Sequence, residues 1–385
     1  MFASKPNNTN KLGKTSKMSI KNLNYGQSVR VNKCGKLAKV KNLDKLTVLK
    51  YYSNNLVNPS INIPVEAGLT EASYPWGIAY DGKNMWVADS SSFTNYTYKI
   101  DGHTRKILEN VVTGPFCITC TFDGTYMWVT SLGIESTVSP GTFDVPPQIT
   151  KVNVGDSSDI VIMTVDDIPD LLAPFGAAFD GRYMWVANHG TTVEGSNLLL
   201  KIDPITNKQV DKIALSQPYP EFVGYDGKNI WVTSYGAYTL TPEPFGQGDL
   251  LTKINPQTGE ILAEITTPKG PCEVLFDGKD IWVACYSSDS VIRVDVNENK
   301  IKSIITNDLS NPAGLIYDGR YIWTGNFDSY AGTTVAKIDP CVNKVVELVP
   351  TGTDIEVQPP APLALAFDGI DVWVVNDGNA SITLI

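Results

Sequence analysis

The stretch Phe179-Asp180-Gly181-Arg182-Tyr183-Met184-Trp185-Val186-Ala187-Asn188 decides the fold, because the chain contains seven versions of it. In every version an aromatic residue precedes Asp-Gly, and a tryptophan follows five positions after the Asp. The Asp and Trp pairs are Asp81/Trp86, Asp123/Trp128, Asp180/Trp185, Asp226/Trp231, Asp277/Trp282, Asp318/Trp323 and Asp368/Trp373. Successive Asp residues lie 42, 57, 46, 51, 41 and 50 residues apart. A period of this length indicates an array of structural repeats.

Each repeat has the pattern of two β-hairpins. Alternating apolar residues lead to the aromatic residue, Asp-Gly makes a tight turn, and the segment with the tryptophan returns as a second strand. A second hairpin follows, most clearly from Leu199 to Ile213, around a turn that starts at Asp203-Pro204. Four short strands per repeat are typical of a propeller blade. The sequence therefore predicts an all-β, seven-bladed β-propeller of four-stranded antiparallel blades.

The shared pattern Pro-x-Gly-x-Ala-(Phe/Tyr)-Asp-Gly-x-x-(Met/Ile)-Trp-Val resembles the seven-bladed propellers of the YVTN and NHL-like kind. It is more distantly similar to propellers of the streptogramin lyase type. The resemblance covers roughly residues 60–385 and implies the seven-bladed fold. It does not imply one function, because such propellers include binding proteins, lyases and lactonases.

The last repeat lacks one outer strand within its own stretch of chain. It supplies strands only at residues 363–367, 372–376 and 381–385. The alternating segment Ile61-Asn62-Ile63-Pro64-Val65 fits as the missing strand, and it would close the ring and remove an open sheet edge. We therefore predict two regions, a basic low-complexity N-terminal arm over residues 1–58 and a propeller over residues 59–385.

Charge is divided unevenly along the chain. Residues 1–50 contain twelve Lys or Arg and one acid, Asp44, whereas the rest contains 19 Lys or Arg and 40 Asp or Glu. The basic extension is either a solvated tail or an arm that docks on an acidic partner. The candidate partners are another protein, a second copy of the acidic propeller, or a polyanion contacted by residues 1–50. Aromatic residues for base stacking are sparse there, which argues against specific nucleic-acid recognition.

Targeting signals and cysteines give little further guidance. No apolar run approaches the ~20 residues of a membrane span, and the N-terminus lacks the apolar core of a signal peptide. We therefore expect a cytoplasmic or virion-associated protein without a membrane span. The six cysteines lack the density and the short chain of a disulfide scaffold. Cys117 and Cys120 have no second pair and lie three apart in a strand, on opposite faces, so they are interpreted as core thiols.

Long insertions all fall on the propeller face opposite the Asp-Gly turns. They cover residues 132–148, 189–197, 235–249 and 327–334 and are rich in Gly, Pro, Ser and Thr. Long loops on a rigid scaffold often carry binding residues. The candidate binding aromatics in these loops are Tyr235, Tyr238, Phe245, Phe327 and Tyr330. The alternative interpretation is ordinary loop variation with aromatic side chains packed on the blade rims.

Small polar residues end most of the tryptophan strands on the same face. Among them Asp89, Asn188, Asn326 and Asn376 are candidate binding residues. A four-residue turn would place each end residue opposite the second residue of the inner strand, as in the pairs Trp76–Asp89, Ile118–Ser131, Phe175–Asn188, Glu221–Ser234, Cys272–Cys285, Ala313–Asn326 and Leu363–Asn376. The ring either satisfies strand ends or, together with Glu221 and Glu273, forms a ligand site or a site for a divalent cation. No cofactor is predicted.

Two classes of function stay open. The favoured one is a non-enzymatic binding or assembly protein that recognises protein or glycan through its loop-rich face, with the basic arm as an electrostatic dock. The alternative is a propeller-type lyase or lactonase with its site in the channel mouth. The streptogramin lyase resemblance implies a His and Glu arrangement, for which His189, Glu221 and Glu273 are the candidates. No hydrolase elbow, P-loop or zinc-protease motif is present.

Overall fold

A computed structural model describes residues 27–32, 36–41, 60–62, 73–92, 94–139, 141–190, 195–236, 246–352 and 359–385. The chain divides into two units, residues 1–48 and 49–385. In the first unit, β1 (Gln27–Asn32) and β2 (Lys36–Lys41) form a two-stranded antiparallel sheet. The predicted limit of the arm at residue 58 stays a prediction. Within the described residues, no helix has the length and apolar character needed to cross a membrane.

The second unit is built from β-strands. In chain order they are β3 (Ser60–Asn62), β4 (Pro75–Tyr80), β5 (Asn84–Asp89), β6 (Tyr96–Asp101), β7 (Ile107–Val112), β8 (Cys117–Phe122), β9 (Tyr126–Ser131), β10 (Ile134–Glu135), β11 (Phe143–Val145), β12 (Gln148–Asn153), β13 (Ile160–Met163), β14 (Pro174–Phe179), β15 (Met184–Gly190), β16 (Gly195–Asp203), β17 (Lys208–Ala214), β18 (Pro220–Tyr225), β19 (Ile230–Ser234), β20 (Leu250–Ile254), β21 (Ile261–Thr266), β22 (Pro271–Phe276), β23 (Asp280–Cys285), β24 (Ser290–Asp295), β25 (Lys300–Ile305), β26 (Pro312–Tyr317), β27 (Ile322–Asn326), β28 (Thr334–Asp339), β29 (Lys344–Pro350), β30 (Pro362–Phe367), β31 (Val372–Asn376) and β32 (Ser381–Leu384). Two 3-10 turns, Tyr286–Ser288 and Asp328–Tyr330, lie in loops.

Apart from β10 and β11, which pair with each other in the loop between β9 and β12, these strands form seven four-stranded antiparallel blades, as predicted. Blades 1 to 7 consist of β4–β7; β8, β9, β12 and β13; β14–β17; β18–β21; β22–β25; β26–β29; and β30–β32 with β3. The first strand of each blade contacts the first strands of its neighbours, and β30 contacts β4, so the ring is closed. The apolar core lies between the faces of adjacent blades. One cluster, for example, joins Trp231 and Leu251 of blade 4 to Val274, Ile281 and Ile292 of blade 5.

The Asp-Gly turn explains the fixed spacing of Asp and Trp. In blade 4, Asp226 Oδ1 accepts the backbone N–H groups of Lys228 and Asn229 at 2.8 and 2.6 Å, while its Oδ2 accepts the indole N–H of Trp231 at 2.8 Å. All seven blades repeat the bond from indole to carboxylate, at 2.7 or 2.8 Å. The turn glycines have φ between 86° and 100°, a conformation that glycine adopts without strain. Each repeated turn thus fixes a buried tryptophan to its own hairpin by a hydrogen bond.

The predicted pairing at the other end of these hairpins was wrong by one residue. The register follows the prediction near the turn, as in Phe276 opposite Ile281, but a β-bulge then shifts it. Cys285 consequently pairs with Pro271 and not with Cys272. The same shift pairs the strand ends of the other blades as Pro75–Asp89, Cys117–Ser131, Pro174–Asn188, Pro220–Ser234, Pro312–Asn326 and Pro362–Asn376. A bulge adds one residue to one strand, and it also turns the start of the inner strand.

Four of the five propeller cysteines lie in the core, among them Cys117 and Cys120 as interpreted from the sequence, whereas Cys341 is exposed. Cys117, Cys120, Cys272 and Cys285 are buried free thiols. Burial raises the pKa of Cys117 and of Cys285 to about 12, so both stay protonated at neutral pH. These thiols behave as small apolar core residues.

The N-terminal strand closes the ring, as predicted. Strand β3 pairs antiparallel with β32, with Ser60 opposite Thr383 and Asn62 opposite Ser381, and forms the outer strand of blade 7. The closing seam carries one further contact. Arg105, in the turn between β6 and β7 of blade 1, forms an ion pair at 2.5 Å with Asp371 in the Asp-Gly turn of blade 7.

A repeated cation joins most neighbouring blades. The third strand of blade 3 places Lys201 over the ring of Trp185, 4.9 Å from its centroid, and Lys201 Nζ donates to Pro256 O of blade 4 at 2.7 Å. Equivalent bonds run from one blade to the outer turn of the next at Lys99–Val154, Lys151–Pro204, Lys253–Val296 and Arg293–Pro340. In blade 6 the corresponding Lys337 instead pairs with Glu347 of its own blade. These residues bind the blades to one another at the turn face.

Candidate binding site at the propeller mouth

One repeated hydrogen bond defines the mouth of the channel on the loop face. In six blades the residue directly after the tryptophan strand, and in blade 3 His189 within β15, donates its backbone N–H to the residue that precedes the inner strand, at 2.7 to 3.4 Å. We call the seven donor residues the mouth ring, and they are Ser90, Leu132, His189, Tyr235, Tyr286, Phe327 and Asp377. Five of the seven are apolar or aromatic. The mouth ring therefore lies one residue beyond the polar residues that the sequence analysis selected.

Those polar residues are buried and hold the incoming loops. Asp89 is fully buried and accepts hydrogen bonds from Ser73 Oγ at 2.6 Å, Tyr74 N at 3.0 Å and Thr94 Oγ1 at 2.9 Å. Asn188 accepts the backbone N–H of Leu172 at 2.9 Å.

The two remaining members of this group have similar roles. Asn326 accepts the backbone N–H of Ser310 at 3.2 Å, and Asn376 donates to Ser381 Oγ and Thr383 Oγ1 at 3.1 and 2.9 Å. Their contacts satisfy backbone and hydroxyl groups at the strand ends, which accounts for small polar side chains at these positions.

Aromatic side chains from blades 4, 5 and 6 form a continuous row along the mouth. The ring centroids of Tyr235 and Tyr286 are 6.2 Å apart, those of Tyr286 and Phe327 are 6.1 Å apart, and those of Phe327 and Tyr330 are 4.5 Å apart. Tyr235 and Phe327 are buried, whereas 56% of Tyr330 is exposed. The structure thus brings together three of the five predicted loop aromatics and adds Tyr286. Tyr238 and Phe245 lie outside the described residues.

Tyr330 is held in an unusual backbone conformation. Asp328, Ser329 and Tyr330 have φ values of 48°, 51° and 73°, so three consecutive non-glycine residues are left-handed. Left-handed conformations cost roughly 1–2 kcal/mol per residue. Two side-chain bonds support the turn: Ser310 Oγ lies 2.7 Å from Asp328 Oδ1, and Ser329 Oγ lies 2.9 Å from Asn311 Oδ1. Such strain is concentrated at binding sites in many proteins, which makes this turn a candidate for function.

The other half of the mouth is also aromatic. Phe175, on the inner strand of blade 3, packs edge-on against Trp76 of blade 1 and Phe222 of blade 4, with centroids 5.8 and 5.7 Å apart. His189 lies between Phe175 and Tyr219, with centroids 5.2 and 5.1 Å away. Trp76 is the eighth tryptophan of the chain and the one outside the repeat pattern.

The three residues considered for catalysis are His189 of the mouth ring and two glutamates of inner strands, Glu221 in β18 and Glu273 in β22. Burial lowers the pKa of His189 to about 4, so its imidazole is neutral at pH 7. Burial raises the pKa of Glu273 to about 8, although a backbone N–H from Val274 opposes this, so Glu273 is mainly protonated at pH 7. Glu221 is buried and lies near Cys272, beside Glu273. His189 is thus packed among aromatic rings, and the two glutamates flank a core thiol.

Asp377 is the acidic member of the mouth ring, and the sequence analysis did not select it. It is 2% exposed, and its backbone N–H donates to Ala361 O at 3.1 Å. Burial raises the pKa of Asp377 to about 7; the hydrogen-bonded indole of Trp76 opposes this, and the nearby Asp89 adds to it. The available signal was its place directly after Asn376, where four of the other six blades carry an aromatic residue.

Two other features of the described residues bear on ligands. No three His, Cys, Asp or Glu side chains in this part of the chain converge in a way that could hold a metal ion. On the turn face, a cleft of about 200 Å³ lies between blades 3 and 4 beside Asp180, Tyr183 and Lys201, and one of about 330 Å³ follows between blades 4 and 5. Both clefts surround the cations that join the blades.

Comparison with known proteins identifies the fold. No protein-family model matches the sequence, and no curated protein sequence matches it. Among solved structures, streptogramin B lyase is similar with a TM-score of 0.62 and 16% identity, over 85% of this chain and 96% of the lyase. A catalytically inactive virginiamycin B lyase from Staphylococcus aureus with quinupristin has a TM-score of 0.62 and 17% identity, over 85% of this chain and 98% of the other.

A third similar structure has a different name. Kuenenia stuttgartiensis hydrazine synthase gives a TM-score of 0.60 and 17% identity, over 84% of this chain and 98% of that chain. Similarity at this level of identity establishes the architecture and leaves the activity open. The chain is a seven-bladed β-propeller whose fold is distantly similar to that of streptogramin B lyase.

Proposed function

We propose that this protein is a non-enzymatic binding protein that recognises a partner protein through the mouth of its loop face. The observation that carries the proposal is the aromatic row from Tyr235 to Tyr330, which ends in a half-exposed tyrosine on a strained, well-supported turn. Tyrosine gives large contact area and a hydrogen-bonding group at a small entropic cost, and it is enriched where proteins bind one another. The rigid ring below the row keeps its rings in place before binding.

The protonation state of His189 supports binding over general-base catalysis at this position. A general base works best with a pKa near the working pH and with its basic form populated. His189 has a pKa near 4, which makes it a weak base, and Glu273 is mostly protonated at pH 7. His189 is buried among the rings of Phe175 and Tyr219, which argues against a solvent-accessible base at this position.

The basic arm supplies the second part of the proposal. Residues 1–50 carry twelve basic residues and one acid, while the remainder has an excess of 21 negative charges. We propose that the arm adds electrostatic attraction to an acidic partner protein or to a second copy, and that this attraction weakens with salt over a screening length of about 8–10 Å at 0.1–0.15 M. We propose no resident cofactor, and chelation of divalent cations should leave binding unchanged.

Two exposed residues of the mouth, Tyr74 and Tyr330, provide the test. The double variant Tyr74→Ala/Tyr330→Ala removes side chains that are 38% and 56% exposed, so folding should be preserved. Its matched control is Ile205→Ala, an 88% exposed residue in an outer turn on the opposite face. Immobilised wild type, both variants and a 46–385 chain would be compared for proteins captured from lysate, with identification by mass spectrometry and reconstitution of each hit from purified components.

The outcomes separate the alternatives. We expect at least one reconstituted protein to lose binding with the tyrosine variant and to keep it with Ile205→Ala. Equal binding by both variants would contradict recognition at the mouth, and capture of glycan alone would replace the protein partner. Incubation with quinupristin, the compound in the structure of the virginiamycin B lyase, tests the lyase alternative, because a cleaved product in mass spectra would overturn a non-enzymatic role.

A further inference from the structure

Asp377 has an unsatisfied carboxylate oxygen at the mouth. Its side chain is 2% exposed, and its Oδ1 has no hydrogen-bond partner among the described residues, whereas the indole of Trp76 hydrogen-bonds to the carboxylate. A buried polar atom without a partner is destabilising unless a ligand, a proton or water completes it. The position calls for an N–H or O–H donor that enters from the mouth.

The surroundings of this oxygen favour a cation. Asp89 lies close enough to raise the pKa of Asp377 after the larger effect of burial, so two carboxylates contribute negative potential. The backbone N–H of Asp377 donates to Ala361 O, Ala361 shares an apolar cluster with Phe327, and the ring centroids of Phe327 and Tyr330 are 4.5 Å apart, so Tyr330 lies on the same side of the mouth as Asp377. The carboxylate thus lies on the side of the mouth that carries the aromatic side chains of Trp76 and Tyr330. Aromatic faces attract organic cations, most strongly when water is displaced.

Resting on the proposed function, we propose that the mouth binds a lysine side chain of the partner protein, with the ammonium donating to Asp377 Oδ1 between Trp76 and Tyr330. A primary ammonium supplies the missing N–H donor and a compact charge, and its alkyl stem packs on the rings. A quaternary ammonium has no N–H to donate. A guanidinium prefers both oxygens of a carboxylate in a bidentate geometry, and here the indole of Trp76 already binds the carboxylate.

Trp76 provides a local reporter for the test. The other seven tryptophans are buried and bonded to their turn aspartates, so a ligand at the mouth should chiefly change the fluorescence of Trp76. Full-length protein would be titrated with capped Gly-Lys-Gly and with matched peptides containing norleucine or trimethyl-lysine. We expect saturable binding of the lysine peptide and affinity at least about tenfold weaker for the other two. Norleucine carries no charge, and the ammonium of trimethyl-lysine has no N–H to donate.

Variants locate the contact. Asp377→Asn should weaken lysine-peptide binding at least about tenfold, and Tyr330→Leu, at an exposed side chain, should weaken it about threefold. Asp308→Asn, which changes an exposed acid on the same face, is the matched control and should bind like wild type. Circular dichroism melts check that the variants fold, and Tyr330→Leu tests the site independently if Asp377→Asn is unstable.

Specific results would overturn the lysine site. They are equal binding of the lysine and norleucine peptides, lysine binding unchanged in both variants, or no saturable signal with the lysine peptide at millimolar concentration. If a reconstituted partner depends on Tyr74 and Tyr330 but binds Asp377→Asn normally, the proposed function stands and the lysine site is wrong. If no partner depends on the tyrosines, the proposed function itself fails, whatever the peptides show.

Discussion

The turn aspartate of each blade explains why repeats of unequal length still fold into one ring. Each turn aspartate satisfies two backbone N–H groups and one indole N–H, as Asp226 does for Lys228, Asn229 and Trp231. A buried indole needs a hydrogen-bond acceptor, and a carboxylate in the same turn supplies it at a fixed distance along the chain. The sequence between these anchors is then free to vary in length.

Asp226→Ala should destabilise the propeller by about 2–4 kcal/mol, because it removes four hydrogen bonds to a charged acceptor and leaves a buried indole N–H without a partner. Urea unfolding followed by circular dichroism measures the change. Asp144→Ala, at an exposed residue of the loop between β9 and β12, is the matched control and should stay within about 0.5 kcal/mol of wild type. Equal unfolding midpoints for the two variants would show that the hydrogen bonds of Asp226 make no net contribution to stability.

Glu273 makes stability depend on pH. Its folded-state pKa is raised to about 8, so the folded state holds a proton that the unfolded chain releases above its ordinary pKa of about 4.3. Stability from this group is therefore present at low pH and is lost as pH rises from about 4 to 8. We expect Glu273→Gln, which stays neutral, to gain about 1–3 kcal/mol relative to wild type between pH 5 and pH 8. Parallel stability curves for the two proteins over this range would contradict the raised pKa.

Candidate site residues were harder to predict than the repeat that positions them. The sequence placed Asp89, Asn188, Asn326 and Asn376 at the mouth, and the structure uses their side chains to hold strand ends. One unseen bulge per inner hairpin accounts for the shifted pairing, since a bulge depends on how neighbouring strands pack and has no signature in a single blade. Asp377 was missed because the sequence analysis selected the strand-end residue Asn376 and not the residue after it.

At the scale of elements, the blades are coupled by cations in their third strands. Lys201 combines a contact over Trp185 with a hydrogen bond to Pro256 O, so it ties the core of one blade to the outer turn of the next. Strands and turns were predictable from alternation and turn residues. The cations that join the blades were not predicted, although six of the seven blades contain a basic residue followed by an apolar residue and then Asp or Asn. A lysine within a strand has no distinctive meaning until the adjacent blade is in place.

Lys201→Met tests this coupling. Methionine keeps much of the alkyl stem but removes the donor, so we expect a loss of about 1–2 kcal/mol from Pro256 O and the aromatic contact. The matched variant Lys337→Met removes a cation that pairs with Glu347 of its own blade, and it should cost less than about 1 kcal/mol. Chemical denaturation of both variants supplies the comparison. A larger loss of unfolding free energy for Lys337→Met would contradict a stabilising role for the hydrogen bonds between blades.

At the scale of the whole molecule, the closed ring depends on a strand that is distant in sequence. Strand β3 completes blade 7, and Arg105 with Asp371 adds an ion pair across the same seam. This closure was predicted from a simple count of strands, because six blades had four strands within their own repeat and one had three. The count needed no knowledge of side-chain packing, which explains why topology was more accessible than the binding site.

Deletion of residues 59–66 should open blade 7 along β32 and lower the melting temperature by more than about 5 °C, with a broader transition, because the ring loses its closing strand. Deletion of residues 1–45 leaves β3 in place and should shift the transition little. Differential scanning calorimetry of both proteins gives the answer. A melt of the 59–66 deletion that matches full length would show that β3 does not stabilise the ring.

Because β3 pairs with β32, the two outer strands of blade 7 are not consecutive in sequence. In every other blade a short outer turn joins the two outer strands. The ring itself has no intrinsic first or last blade. A circularly permuted chain that joins residue 385 to residue 60 through a copy of Pro204-Ile205-Thr206-Asn207, and begins within another outer turn such as residues 296–299, should fold to the same propeller. The order of the blades along the chain would change while every contact between them persisted.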